Sequence, residues 1–289
     1  FSAPFITPRL VIISSCDGFI YALDRKQGTV HWKYNTDYPI VACPLVSEGT
    51  VYIGSSNGKF YSLTLADGTL NWTCDGLHGY IESRPAIDKE RVYIGTWGAM
   101  FYAIDRKSGK RVWEFDTKRG RYFSPGACWP VVLPYTQQGK KNEQVIVLSS
   151  DYFVRSFRPE TGEILWASDK AKGRESLGFS PDGKTMYVKG IKNTITAVDI
   201  SQGTYNNLWN TLMPYEGNFI PTRMEATGQL IFVPTEFGVL HAIRTDGRGI
   251  AWSHKISHSA ITSLKSAGKG KLIVMTMDGT VTCLEYPVN

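Results

Sequence analysis

Cysteine is scarce in this chain and badly placed for any of its usual structural uses. Five occur in 289 residues: Cys16, Cys43, Cys74, Cys128 and Cys283. The count is odd and no pair has CxxC spacing, so neither a thiolate zinc centre nor a disulfide-stapled scaffold is indicated, and buried free thiols are expected for most of them. No apolar run is long enough to span a bilayer. No stretch sustains helical periodicity, which removes the α/β classes. Charge is thin as well. Charged residues make up 20% and the formal net charge is +6; this mildly favours anionic partners but is not the dense basic stripe of a nucleic-acid binder, and none is expected. His31, His78, His241, His254 and His258 have no metal spacing such as HExxH, and no serine has a nucleophile-elbow context. No catalytic residue, metal site or cofactor is therefore assigned, and catalysis by this chain alone is not expected. The chain opens on Phe1 with no signal-like segment, so either a targeting peptide has been removed or the ends have been trimmed.

What is abundant is a repeat. Leu10-Val11-Ile12-Ile13, Phe19-Ile20-Tyr21-Ala22-Leu23 and Val30-His31-Trp32-Lys33-Tyr34 read as three successive strands. The pattern returns as Val51-Tyr52-Ile53-Gly54, Phe60-Tyr61-Ser62-Leu63 and Leu70-Asn71-Trp72, and again from Val92 to Trp113. Gly28, Gly68 and Gly109 each stand four residues before their tryptophan, where a hairpin turn wants positive φ. Asp24, Asp105 and Asp199 recur as turn residues rather than as a metal cluster. Pro4, Pro44 and Pro85 each stand seven residues before Val11, Val51 and Val92, which marks a short extra strand opening every unit. A unit is thus four antiparallel strands with a period of about 40 residues.

Four further units follow. The fourth carries an insertion from Leu133 to Glu143 before Val145-Ile146-Val147-Leu148, and the seventh ends without a clear fourth strand. Six units close on a tryptophan: Trp32, Trp72, Trp113, Trp166, Trp209 and Trp252. One large ring per unit, beside the same hairpin, suits packing between neighbouring blades. The expected architecture is all-β: a single domain over residues 1–289, a seven-bladed β-propeller of four-stranded antiparallel blades. Its last blade is incomplete or weakly closed, and that edge is a soft point.

Asp17-Gly18-Phe19-Ile20-Tyr21-Ala22-Leu23-Asp24, with Gly28 and Trp32, resembles the repeat of the pyrroloquinoline-quinone-like propellers. Gly98 to Asp105, with Gly109 and Trp113, is similar to it too. The resemblance implies the tryptophan-docking motif of that family. The family includes quinone- and calcium-dependent alcohol dehydrogenases, non-enzymatic assembly factors that scaffold outer-membrane protein insertion, and extracytoplasmic domains attached to catalytic modules. The dehydrogenases typically have two adjacent cysteines beside the cofactor and an aspartate base near calcium. This sequence has no adjacent cysteines, and no aspartate can be matched to that base. The resemblance therefore implies a non-enzymatic member, in an extracytoplasmic (periplasmic or secreted) location.

Function in a propeller sits at a channel mouth or on a loop face. Ala3, Cys43, Arg84 and Trp129 each precede an aligned proline and so occupy equivalent places on successive inner strands. Two small residues followed by arginine and tryptophan break that series, which singles out Arg84 and Trp129. Glu82 precedes Arg84; Arg119, Arg121 and Tyr122 precede the fourth inner strand; Lys172 and Arg174 precede the fifth; Arg223 follows the sixth loop, and His258 leads to the seventh. These loops share one face, so Arg119, Arg121, Lys172 and Arg174 are expected to form a basic rim. Arginine forks beside tyrosine or tryptophan suit a carboxylate, a phosphate or an acidic glycan. The resulting expectation is a non-catalytic binding or scaffold module that recognises a partner protein, a membrane-associated assembly included, or an anionic small molecule or glycan. The alternatives are the recognition domain of a larger secreted hydrolase and a quinone-dependent dehydrogenase.

Overall fold

The computed structural model describes residues 3–118, 125–126, 128–214 and 222–287, without the side chain of residue 175. They form seven antiparallel sheets, six of four strands and one of three, each in simple chain order. This is a seven-bladed β-propeller with an incomplete last blade. The first sheet holds Phe5–Ile6, Leu10–Ser14, Phe19–Asp24 and Val30–Asn35, and the third holds Ala86–Ile87, Arg91–Gly95, Met100–Asp105 and Arg111–Asp116. In the seventh only Ile261–Gly268, Lys271–Thr276 and Val281–Glu285 pair.

The strand sequences explain their places. Middle strands such as Thr50–Gly54 and Phe60–Thr64 carry β-branched and aromatic residues without alternation and are buried on both faces. Outer strands alternate: in Val30–Asn35 the inward Trp32 is buried between exposed His31 and Lys33. Asp24 shapes the intervening hairpin by accepting the backbone N–H groups of Lys26 and Gln27, both at 2.8 Å, and Asp105 does the same for Lys107 and Ser108. These hydrogen bonds hold both carboxyls below the usual aspartate range; at Asp105 the Ser108 side chain contributes most. Gly28, Gly68 and Gly109 follow with φ of 70°, 76° and 72°. In five sheets the register slips by one residue just after a small residue that lies opposite the tryptophan: Ala22, Ser62, Ala103, Ala197 and Ala242. That bulge turns the outer strand so that its ring lies along the sheet edge.

The tryptophans then reach a neighbouring hairpin. Trp32 Nε1 donates to the carbonyl of Leu65 at 2.9 Å, Trp72 to Arg106 at 2.9 Å, Trp113 to Pro159 at 2.8 Å and Trp209 to Thr245 at 3.0 Å. Each ring covers the hairpin glycine so closely that a Cβ there would stand 2.6–2.7 Å from it. Trp166 departs from this scheme. Its Nε1 donates to Gln144 Oε1 at 3.3 Å and its ring meets Tyr205 edge-on, while Gly203 is covered by Tyr135. Tyr135 belongs to the expected insertion, which is not a loop: Val131–Gln137 and Lys140–Leu148 are two long strands joined at Gln138 and Gly139, with φ of 50° and 76°. The unbroken polar run from Thr136 to Glu143 hid the strands, because this end of the hairpin is mostly exposed and carries no apolar alternation.

The chain divides into two compact units. The first comprises Phe1–Val132, Val145–Asp151 and Phe157–Ile164; the second comprises Leu133–Gln144, Tyr152–Ser156 and Leu165–Asn289. In the first, Ile12, Ile20, Val51, Ile53, Tyr61 and Leu63 form one core cluster, and Tyr93, Phe101, Val145, Val147 and Phe157 form another around Trp113. In the second, Ile195, Ile231, Val233 and Ile243 pack with Trp209, and Phe232, Leu240, Leu272 and Val274 pack with Trp252. Cys43, Cys74 and Cys128 are buried thiols, and Cys16 and Cys283 are exposed ones.

Candidate functional site

In the first unit, the connection from Leu70–Cys74 to Ala86–Ile87 carries Tyr80, Glu82 and Arg84. It lies against the 96–99 turn of the third sheet. The two segments touch backbone to backbone: a Cβ on Gly79 would stand 2.2 Å from Gly98 N, and one on Gly98 2.0 Å from the His78 carbonyl oxygen. Hydrogen bonds lock the contact. Trp97 N donates to the Tyr80 carbonyl at 3.0 Å, Thr96 Oγ1 to the His78 carbonyl at 2.6 Å, and His78 N to Tyr102 Oη at 3.0 Å.

On this base the side chains build two linked groups. Tyr80 and Trp97 stack with centroids 5.7 Å apart and planes at 19°. Trp97 Nε1 donates to Glu82 Oε2 at 2.6 Å, so the carboxylate pins the indole. Two residues on, the Arg84 guanidinium carbon lies 5.1 Å from the Phe5 centroid and 5.9 Å from that of Trp129. Attraction of the cation to both ring faces orients a half-buried fork. Cys43 sits beside this charge. Burial pushes its thiol up, Arg84 pulls against that, and the amide of Ala3 donates to its sulfur at 3.1 Å. A cavity of about 320 Å³ opens here, lined by Ser56, Asn57, Leu77, Gly79, Tyr80 and Trp97 with Gly58. A larger one of about 390 Å³ lies at the other ends of the strands, between Pro8, Leu10, His31 and Leu65, away from these charged and aromatic groups.

Of the inner-strand series read from the prolines, Arg84 meets Trp129 and Ala3 meets Cys43. Glu82 belongs with them through Trp97. Arg119, Arg121 and Tyr122 lie outside the described residues. Of the remaining candidates, all in the second unit, Lys172 pairs with Asp169 and takes φ 48°. Arg174 is half-buried at the start of Gly173–Phe179. The Arg223 guanidinium carbon lies 5.9 Å from the Phe179 centroid, and His258 is exposed. The basic rim therefore has two of its four members outside the described residues. Two participants escaped the sequence reading. Phe5 looked like an ordinary strand residue. Trp97 had a usable signal: its turn reads Trp97-Gly98, where three other units put an Asx residue before glycine, Asp17-Gly18, Asn57-Gly58 and Asp278-Gly279.

Among the described residues no group of three or more His, Cys, Asp or Glu is placed to hold a metal ion. Among the described residues no helix is long and apolar enough to cross a membrane.

Fold and site together define a propeller of quinone-like repeats with an aromatic–arginine cluster at the start of its inner strands. Residues 3–127 and 150–286 match the family described as outer membrane protein assembly factor BamB, and the chain belongs to that family. Among solved structures it is similar to BamB from Moraxella catarrhalis, at 19% identity and a TM-score of 0.78, covering 99% of this chain and 85% of that one. It is also similar to the quinohemoprotein alcohol dehydrogenase ADHIIG from Pseudomonas putida HK5, at 14% identity and a TM-score of 0.74, over 96% of this chain and 62% of that one. A europium-containing methanol dehydrogenase matches at 14% identity and a TM-score of 0.74, over 95% and 72%. At these identities the structural likenesses show the fold alone. No curated protein matches the chain.

Proposed function

We propose that residues 1–289 act as one non-catalytic binding propeller, working outside the cytoplasm, that recognises an acidic segment of a partner protein at the Tyr80–Glu82–Arg84–Trp129 cluster. The observation that carries this reading is the Arg84 guanidinium over two aromatic rings, 5.1 Å from the Phe5 centroid and 5.9 Å from that of Trp129. Two ring contacts position the planar fork, and a positioned guanidinium suits bidentate pairing with a carboxylate. Tyr80, 42% exposed on its Trp97 backing, supplies apolar contact beside that charge. Membership of an assembly-factor family supports both the protein partner and the extracytoplasmic location.

The test is crosslinking from a photoreactive amino acid at position 80, in cells making the natural protein. Discrete protein adducts are expected, and Arg84→Glu should abolish them while the melting temperature stays unchanged. An identical adduct pattern in the Arg84→Glu protein would overturn the assignment.

A further inference from the structure

A further cavity in the first unit is built from different residues than the arginine cluster. It measures about 390 Å³ and is lined by Thr36, Asp37, Tyr38, Asn57, Lys59 and Tyr61. These come from the 36–39 connection between the first two sheets and from the 55–59 turn of the second. Backbone hydrogen bonds pin both segments: Thr36 N donates to the Gly18 carbonyl at 2.9 Å and Ser56 N to the Pro39 carbonyl at 3.1 Å. Asp37 takes φ 64°, and its Oδ1 accepts from the Asn35 side-chain amide at 2.8 Å. Its Oδ2 has no hydrogen-bond partner among the described residues.

Hydrogen bonding in this turn runs opposite to that of its counterpart in the first sheet. There Asp17 accepts the backbone N–H of Phe19 at 3.0 Å and the Tyr21 hydroxyl at 2.6 Å. In the second sheet Asn57 Oδ1 accepts the N–H of Lys59 at 3.0 Å, but its Nδ2 donates to Tyr61 Oη, also at 3.0 Å. The phenol is therefore an acceptor here, and its own proton must go elsewhere. Both groups turn to the Thr36 carbonyl, 3.5 Å from Tyr61 Oη and 3.4 Å from Asn57 Nδ2. One oxygen thus serves two donors, at lengths where little of the bond strength remains. The cavity therefore combines two underused donors, a carboxylate with a spare acceptor and the Tyr38 ring, which is 54% exposed.

We propose that this cavity binds one pyranose unit of a neutral saccharide. A hydroxyl group both donates and accepts, and a sugar carries several on neighbouring carbons, which matches the Asp37 carboxylate together with the Asn57 and Tyr61 donors. The C–H face of the ring lies on Tyr38. A simple cation brings no acceptor for the two donors, and a simple anion brings no proton for Asp37. Lys59 adds no unpaired charge, because it meets Asp75 at 3.4 Å. The volume is that of a small-ligand pocket. Neither Arg84 nor Trp129 takes part, so the site stands apart from the one proposed for a protein partner.

The probes are the methyl glycosides of glucose, galactose, mannose and N-acetylglucosamine, each titrated into the isotope-labelled natural protein and followed by amide shifts. Saturable shifts at Asp37, Tyr38 and Asn57 are expected with at least one of them, with a dissociation constant on the order of millimolar for so small a ligand. Asn57→Asp should weaken binding about tenfold. The new carboxylate would accept from Tyr61 as Asp17 accepts from Tyr21, which consumes both donors while keeping the turn, so the melting temperature should not move. Tyr38→Ala, at an exposed ring, should weaken binding about three- to tenfold. Absence of saturation with every glycoside at its highest soluble concentration would overturn the proposal, and so would equal binding by the Asn57→Asp protein. N-acetylglycine N-methylamide is the peptide control. If it shifts the same amides at lower concentration than any glycoside, the occupant is a peptide and the proposal fails.

Discussion

Replacing Gly109 with alanine asks how much the tryptophan–hairpin contact contributes. At φ +72° an L side chain costs about 1–2 kcal/mol on its own. A Cβ there would also stand 2.6 Å from Trp72 Cε3 and 2.7 Å from Cδ2, well inside contact distance. The indole must back away, stretching its 2.9 Å hydrogen bond to the Arg106 carbonyl, a loss of about 1 kcal/mol. Lost ring packing adds about another 1 kcal/mol, so the expected destabilisation is roughly 3–4 kcal/mol. Gly28 provides the control: its φ is +70° but nothing lies within 4 Å of the position of a Cβ. Gly28→Ala should therefore cost only the backbone share, about 1–2 kcal/mol. Guanidinium titration followed by circular dichroism measures both, with the denaturant slope checked for constancy. In a Trp72→Ala background, Gly109→Ala should fall to the Gly28→Ala value. Equal costs for the two glycines in the unaltered protein would refute the argument that ring contact, rather than turn conformation, fixes glycine at position 109.

Three further outcomes follow from buried polar groups. Gln144 is fully buried, donates to the Ile200 carbonyl and accepts from Ser156 and Trp166, so Gln144→Leu should cost about 2–4 kcal/mol in the same titration. Tyr93→Phe removes a 2.5 Å donor from Asp88, whose carboxylate is nearly buried; a loss of about 1–3 kcal/mol is expected in thermal melts. Burial drives the Lys189 pKa down to about 7, against the pull of Glu236, while its Nζ donates to the Pro234 carbonyl at 2.7 Å. Between that value and the ordinary lysine pKa the unfolded chain binds the extra proton. Stability should therefore rise from about pH 7 towards pH 10, and Lys189→Met should flatten that rise.

Strand order, the positive-φ glycines and the tryptophan positions were legible because each is repeated. A feature seen in several units declares itself as geometry rather than chance. Trp166 was misleading for the same reason. It keeps the spacing of its counterparts, yet Tyr135, 31 positions earlier in the chain, covers the glycine that spacing would assign to it. The candidate site was half legible. Arg84 and Trp129 stood out because they broke a series, and Glu82 because it adjoined them. Phe5 and Trp97 come from other strands and turns, and only three-dimensional placement brings them to the arginine and the carboxylate. The fate of Lys172 was not visible either, because its Asp169 partner precedes it within an ordinary polar loop.

The tryptophan of one sheet and the glycine of the next hairpin form a two-part coupling, with its halves in different repeats. Such a chain has nearest-neighbour thermodynamics: each repeat holds an intrinsic term and one junction term. A whole repeat can be duplicated or deleted in evolution and still find matching halves on both sides. Loss of a single tryptophan, in contrast, uncouples one junction and leaves the others intact. The expected signature is a native state that opens in blocks of one or two sheets, with hydrogen-exchange boundaries falling at Trp32, Trp72, Trp113 and Trp209.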